Sequence, residues 1–432
     1  MTCLKKITEY LFYLFIFLLP WQTKLILRPA PTNFTEISLY ATHFLLLLIL
    51  LLFFIYRLGD KKSEINIPTL WYFLAGWELF IFISIWFAPD SLLAAYHYYS
   101  FLIGVALFFL LYAGRGSDGY EDSFFAKGKI IGSFLAGVFI QAILGIAQFL
   151  NQSSFACKYL GLARHDPSAL GTSVVEVTSG RWLRAYGGLD HPNILGGVLA
   201  VALLIAAYLL AKKKMLHKRR EVMESILLFI FYFISLFALF FTFSRAAWLA
   251  LAVGLLILLV YFIRRGDKWI TGRFIALLFF SALLLGIVVF PYQDLVMARL
   301  SDNQPLEQKS ITERETYVGQ ALSIIKNQPW LGAGSGNYTT VLARSAGVKD
   351  PKGSTVWNYQ PVHDVFLLIW AESGIFALLF FLGFLFWQIK KDRREPFAPA
   401  ILGLLLILLL FDHWLFSLPF GLLFLFLVLG LI

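Results

Sequence analysis

The sequence predicts an all-α polytopic membrane protein of about 12 transmembrane helices, with a large extracytoplasmic loop that contains helices of its own. Hydrophobic residues make up 59% of the chain and charged residues 14%, where average chains carry about 25% charged residues. Mean hydropathy is +0.75. Apolar runs of roughly 17–25 residues, long enough to cross a bilayer, recur from one end to the other. They fall at about 7–27, 38–56, 67–88, 95–113, 130–150, 190–211, 225–243, 246–263, 274–290, 363–388, 399–416 and 418–432. Together they form one integral membrane domain. Residues 1–290 hold spans one to nine with an outer loop at 151–189, residues 291–362 form the large loop, and 363–432 hold the last three spans.

The net charge of +10 is placed as an orientation signal. With the N-terminus cytoplasmic, 22 of the 36 Lys and Arg fall on the inner side, nearly all in short loops, where positive charge fixes topology. Both termini are then cytoplasmic. The clusters at 212–220 and 390–394 are topology signals first and headgroup contacts second. No nucleic-acid-binding motif accompanies the charge. The other 14 basic residues are concentrated in the outer loops and work against the orientation rule, so a ligand is the reason to keep them there. Cys3 and Cys157 fall on opposite sides of the membrane, so no disulfide is expected. The first apolar run shows no small-residue cleavage site and reads as a retained anchor.

Taken in order, spans one to five read as scaffold. Pro20 interrupts the first, and Trp21 with Lys24 suits the outer interface. Glu78 lies within span three, where an ionisable group is costly and a functional candidate by default, although a buried structural hydrogen bond explains it equally. His97, Tyr98 and Tyr99 stand at the start of span four. The loop 151–189 ends in Arg181-Trp-Leu-Arg184 and leads to Asp190-His-Pro-Asn193. Pro192 suits the first turn of span six, with Asp190 or His191 near its cap. A helix start facing outward favours an anion. Arg181 and Arg184 would sit together above it if that short piece is helical; arginines resting on headgroups over a capped helix are the plainer reading.

Spans seven and eight are joined by Phe243-Ser244-Arg245 with hardly any loop, which sets Arg245 at or just below the outer surface. An arginine at that depth needs a partner or a watery cavity, or it snorkels. Its planar fork suits phosphate oxygens.

The polar stretch from Tyr292 to Glu372 is the centre of the functional reading, roofing a site at the membrane surface. Thr312-x-x-Glu315 resembles a capping box for an amphipathic helix over Ser310–Asn327. Tyr317, Ala321, Ile324 and Ile325 give that helix an apolar stripe. Arg314 falls in its first turn, where the helix dipole disfavours a cation, so an anion or the flanking Glu313 and Glu315 must compensate. The glycine turn 332–336 lacks the Gly-Lys-Ser/Thr of a nucleotide loop, and close backbone packing is its expected role. His363 opens span ten, with Asp364 next. Glu372, nine residues on, lies about half a turn away in phase on a regular helix. The two cannot share a face, so Glu372 is expected to hold a neighbouring span or loop. For Asp412 and His413 in span eleven, packing hydrogen bonds are the default.

These pieces together resemble the O-antigen ligase/polymerase family of bacterial inner-membrane glycosyltransferases. The resemblance rests on Arg184…His191-Pro-Asn193, on Phe243-Ser244-Arg245-Ala-Ala-Trp248, on Arg314-x-x-Tyr317…Gln328-Pro-Trp330-Leu-Gly332-x-Gly334, and on His363-Asp364-x-Phe-Leu…Glu372-x-Gly374. Many members have Asn where this chain has Asp364. The resemblance implies metal-independent transfer of a glycan from an undecaprenyl-diphosphate carrier to an acceptor hydroxyl, lipid A core or another envelope acceptor, on the outer side of a bacterial inner membrane. It carries Arg184, Arg245 and Arg314 over as ligands of the diphosphate and His363 as the base or orienting group for the acceptor. Arg181, Asn193, Asp364 and Glu372 join them as substrate-binding candidates. No cofactor is expected, and the outer loops show no Asp-x-Asp pair to hold Mg²⁺. Expected partners are the lipid-linked glycan donor, a glycan, lipid or protein acceptor, and membrane lipids. A polysaccharide polymerase or protein O-oligosaccharyltransferase shares the donor chemistry. A lipid-linked sugar transporter would instead show an internal repeat and broken helices at the midplane. No repeat is seen, and apart from Glu78 the polar candidates cluster at the outer boundary.

Overall fold

A computed structural model describes residues 2–30, 34–58, 69–114, 124–213, 219–301, 305–345, 359–391 and 397–432. Parts of the basic clusters at 212–220 and 390–394 lie outside them. The chain is helical almost throughout. It runs α1 (Thr2–Leu18), a hairpin of β1 (Lys24–Arg28) and β2 (Ile37–Tyr40), then α2 (Ala41–Leu58), α3 (Leu70–Ser84), α4 (Ser91–Ala113) and α5 (Lys127–Asn151). A second hairpin, β3 (Val174–Val177) with β4 (Gly180–Leu183), precedes α6 (Pro192–Lys212), α7 (Arg219–Phe241), α8 (Arg245–Arg265) and α9 (Lys268–Val289). Then come α10 (Gln293–Leu300), α11 (Pro305–Asn327), α12 (Tyr338–Ser345), α13 (Val365–Lys391), α14 (Phe397–Phe411), α15 (Trp414–Ser417) and α16 (Pro419–Leu431).

Among the described residues nine helices are long and apolar enough to cross a membrane, against the twelve expected. The difference is length: α1, α14 and α16 have 17, 15 and 13 residues. The first run stops at Leu18 because Pro20 cannot continue a helix, and the chain turns instead into the β1–β2 hairpin. Span eleven stops at Phe411, and the chain re-forms a single turn after His413.

Helix α6 is the axis of the bundle. It packs on α5, α7, α8, α9 and α14, and 83% of its apolar window is buried, whereas only 17% is buried for the helix containing α9. A helix apolar on every side belongs inside, and α16, buried along its whole length beside α4, is a second case. Glu78 of α3 accepts from Tyr98 Oη at 3.0 Å, the structural hydrogen bond that sequence left as one of two options. Cys3 and Cys157 are both free.

One end of the bundle gathers the hairpins, the turns and the long loop. Arg28 of β1 pairs with Asp90 at 2.8 Å, and the Asp90 N–H donates to Asn337 Oδ1 at 2.9 Å. Arg344 of α12 donates to the Pro89 carbonyl at 2.7 Å. His97 is buried between the glycine turn and α15, with Nδ1 2.7 Å from Ser335 Oγ and Nε2 2.9 Å from the Phe416 carbonyl.

The glycine turn is sewn to a break in α13. Gly374 has φ 83° and ψ 173°, so the helix is interrupted there. Ala333 N–H donates to the Ala371 carbonyl and Gly334 N–H to that of Glu372, both at 2.9 Å, while Ile375 N–H donates back to Pro329 at 3.0 Å. A Cβ at Gly374 would run into the Trp330 carbonyl, and one at Gly332 into the Glu372 backbone. Close approach of two backbones is what these glycines permit.

Candidate functional site

The site is built from the start of α6. His191 is extended (φ −151°, ψ 145°) and caps the helix, with Pro192 in its first turn. Its Nδ1 accepts from the Asn193 N–H at 3.1 Å, and Nε2 lies 2.8 Å from Ser173 Oγ. An acceptor at Nδ1 leaves the proton of a neutral ring on Nε2, which donates to Ser173. Burial, reinforced by the nearby Arg184 guanidinium, holds His191 down to about 3, so the ring is neutral.

From this cap a directional chain of contacts crosses the bundle. Arg184 Nη2 donates to Asn193 Oδ1 at 2.7 Å, and Asn193 Nδ2 donates to Asp412 Oδ2 at 3.0 Å. Arginine only donates and a carboxylate only accepts, so the amide between them has one orientation. Asp412 Oδ1 accepts from the His413 N–H at 2.8 Å and faces His363 Nδ1 at 3.6 Å. That is an ion-pair distance rather than a hydrogen bond, and His363 Nδ1 is buried with no hydrogen-bond partner among the described residues. The rings of His363 and His413 lie 4.9 Å apart. His191, Asn193, Gln360, His363, Asp412 and His413 face one cavity of about 230 Å³.

The turn between α7 and α8 collects guanidinium groups. Arg184, only 4% exposed, donates from Nε to the Thr242 carbonyl at 2.7 Å. Arg299, in the last turn of α10, donates from Nε to the Phe243 carbonyl at 3.0 Å, and Arg245 Nη1 donates to the Arg299 carbonyl at 3.2 Å. Phe243 itself is fully buried with φ 48°, a conformation that bulky side chains rarely adopt. Three arginines from separate stretches thus meet around residues 242–245. Arg184 belongs both to this group and to the chain that leads to His363.

The remaining candidates lie elsewhere. Arg181 sits on β4 and donates to the Ser168 carbonyl at 3.1 Å. The piece expected to be helical is a hairpin in which Arg181 pairs with Glu176, and alternation along a strand separates it from Arg184. Arg314 is not in a first turn, since α11 begins at Pro305. Thr312 is no cap either, because its hydroxyl donates to the Gln308 carbonyl at 3.0 Å. The dipole reason for an anion at Arg314 therefore lapses. Asp364 caps α13, accepting from the Leu367 N–H at 2.9 Å. Glu372, 3% exposed, accepts from the Gly336 N–H at 2.8 Å and the Tyr338 N–H at 3.2 Å, so its carboxylate holds the glycine turn. Two residues gain weight that sequence did not give them. Packing is the default expected of Asp412 from sequence, and Arg299, in the last turn of a helix the sequence reading does not single out, is not among the expected site residues.

His363, Asp412 and His413 also bring one ligand atom each within 4.8 Å of one another. Two imidazoles and a carboxylate are a donor set for a transition metal. Bonds of ~2.0–2.2 Å would require the three to draw together, and His413 Nδ1 is already 2.7 Å from Ser417 Oγ.

The described residues thus form a helical bundle, with nine helices apolar and long enough to cross a membrane, in which a histidine, a carboxylate and clustered arginines come together. Residues 230–382, within the second half of the chain, match the family described as O-antigen ligase. Proteins of this family are ligases and polymerases of the glycosyltransferase type. The matched stretch contains Arg245, Arg299, Arg314, His363 and Glu372, whereas Arg184, Asn193 and Asp412 lie outside it and join through the fold alone. None of the curated proteins compared with the chain matches it.

Proposed function

We propose that this protein transfers a glycan from a polyprenyl diphosphate, undecaprenyl diphosphate in a bacterial inner membrane, to an acceptor hydroxyl on the outer side, without a metal. The observation that supports this best is the path Arg184–Asn193–Asp412–His363, two hydrogen bonds and a 3.6 Å approach, which links the arginine cluster to a histidine in one cavity. The arginines hold the diphosphate. The acceptor oxygen attacks the anomeric carbon as the carbon–oxygen bond to the diphosphate breaks. His363 takes the acceptor proton, and the departing anion stays with the guanidinium groups, which stabilise the charge that develops there. Asp412 faces His363 Nδ1 at 3.6 Å and orients the ring; catalytic hydrogen bonds are often long before substrate binds and tighten afterwards. Attack opposite the leaving group inverts the anomeric centre.

The ligase reading, with lipid A core or another envelope acceptor and a place in lipopolysaccharide biosynthesis, rests on the family. A polymerase or a protein O-oligosaccharyltransferase would use the same donor half of the site. Reconstitution with a polyprenyl-diphosphate glycan and each acceptor class, with the products sized, separates them. In the same assay His363→Ala should stop turnover and leave donor binding intact. Loss of donor binding alone would move His363 out of the base role.

A further inference from the structure

Beside the cavity lies a groove of about 590 Å³ along α11, lined by Lys309, Thr312, Glu313, Thr316, Tyr317, Gln320 and Tyr359. Its position is tied to the reactive histidine in two ways. The Tyr317 ring lies 6.0 Å from that of His363. Tyr359 lines the groove while its neighbour Gln360 lines the cavity, so a few residues of backbone separate the two. Thr312, Thr316 and Gln320 recur every fourth residue and form one stripe about 12 Å long at 1.5 Å per residue. Gln320 also borders a second recess of about 320 Å³, which carries the path on past Ser323 and Asn327 toward α12.

The stripe is rich in acceptors. The Thr312 and Thr316 hydroxyls donate to the carbonyls of Gln308 and Thr312 at 3.0 and 2.9 Å, so their protons are committed and only their lone pairs face outward. Gln320 Oε1 is buried and meets no donor among the described residues, a costly state unless a ligand supplies one. Glu313 adds a carboxylate whose partner Lys309 is 3.7 Å away. With Lys309 and Glu313 balancing each other, the groove has no net charge to hold a phosphate or carboxylate, and its hydroxyl and amide groups suit a neutral ligand rich in hydroxyls. Tyr359, half-buried, offers a ring against which the apolar face of such a ligand can lie.

We infer that this groove is a carbohydrate subsite that holds neutral sugar rings adjoining the bond made at His363. The inference rests on the transferase reading for the substrate it serves, but binding can be measured without turnover. Saturation-transfer NMR on the full-length protein in detergent would compare neutral oligosaccharides with uronic-acid oligosaccharides of equal length. Neutral chains should bind, and acidic ones more weakly. Thr316→Val and Gln320→Leu, which keep size and helix, should each weaken binding about tenfold. Absence of binding, equal binding of acidic chains, or indifference to both groove variants would overturn the subsite. In the transfer assay the same variants assign the bound sugar, raising KM for the donor if it is the donor's glycan and for the acceptor if it is the acceptor's. A rise in neither also overturns it. Sugar binding as described with no transfer by the wild type would instead remove the transferase reading and leave the groove standing.

Discussion

Replacing Asp412 by Asn tests the link between the arginine cluster and the histidine at its weakest joint. The carboxylate accepts from Asn193 Nδ2 at 3.0 Å and from the His413 N–H at 2.8 Å, and faces His363 Nδ1 at 3.6 Å. An amide of the same size still serves the His413 N–H, but its NH₂ then meets the NH₂ of Asn193. Flipping Asn193 only passes the conflict on, because Arg184 has no acceptor to offer. One donor–donor contact is therefore unavoidable and should cost about 1–3 kcal/mol of stability. Loss of the charge beside His363 adds a kinetic effect. A positioned base contributes roughly 10²–10⁴ in rate, and the 3.6 Å separation places the expected loss of kcat near the lower end, about 10²-fold or ~2.7 kcal/mol. The double variant Asp412→Asn with Asn193→Asp separates the two effects. It restores an acceptor for Arg184 and for the new amide, so thermal stability in detergent should return toward wild type, yet the charge has moved away from His363 and turnover should stay low. Transfer of a polyprenyl-diphosphate-linked glycan, measured beside unfolding temperature, reads both quantities. Recovery of full turnover in the double variant, or a near-normal rate in Asp412→Asn alone, would refute the orienting role.

Other expectations are shorter. Arg245→Lys should abolish most transfer while the protein stays folded, because a point charge cannot reproduce a planar fork; near-normal activity would remove Arg245 from the site. Transfer should survive EDTA, and full inhibition reversed by a divalent cation would make His363, Asp412 and His413 a metal centre. Gly374→Ala should cost more than the roughly 1–3 kcal/mol of a strained backbone position, since the new methyl also strikes the Trp330 carbonyl, and loss of folded protein on size exclusion would show it. His191 has its folded value near 3, below its ordinary 6.5, so the unfolded chain takes up that proton first. Its contribution is whole above about 6.5 and declines as pH falls toward 3. Unfolding temperature should fall across that window, and His191→Asn, which keeps a capping acceptor, should flatten the decline.

Much of the architecture was readable because apolar runs are local. Each expected span overlaps a helix, Pro192 sits where a helix start wants it, and the glycine turn packs backbone to backbone. The misreadings share one cause, which is tertiary context overriding a local pattern. Arg181-Trp-Leu-Arg184 has spacing compatible with a helix turn, yet pairing with Val174–Val177 makes it a strand. Thr312-x-x-Glu315 has the letters of a cap, but upstream residues extend the helix past it. Gly374 is hidden in an apolar run that no periodicity would divide; only the strand-like stitching to residues 329–334 breaks it. Asp412 was hardest of all, since its partner Asn193 lies 219 residues away in sequence, and no local signal distinguishes a bridging carboxylate from a packed one.

The stitching of the glycine turn to α13 has a consequence for how His363 is held. Glu372 grips the amides of Gly336 and Tyr338, and the same first turns of α13 carry the chain back to Asp364 and His363. Displacing the glycine turn would therefore pull on the helix that positions the imidazole, so the seat of the turn and the alignment of His363 are one degree of freedom.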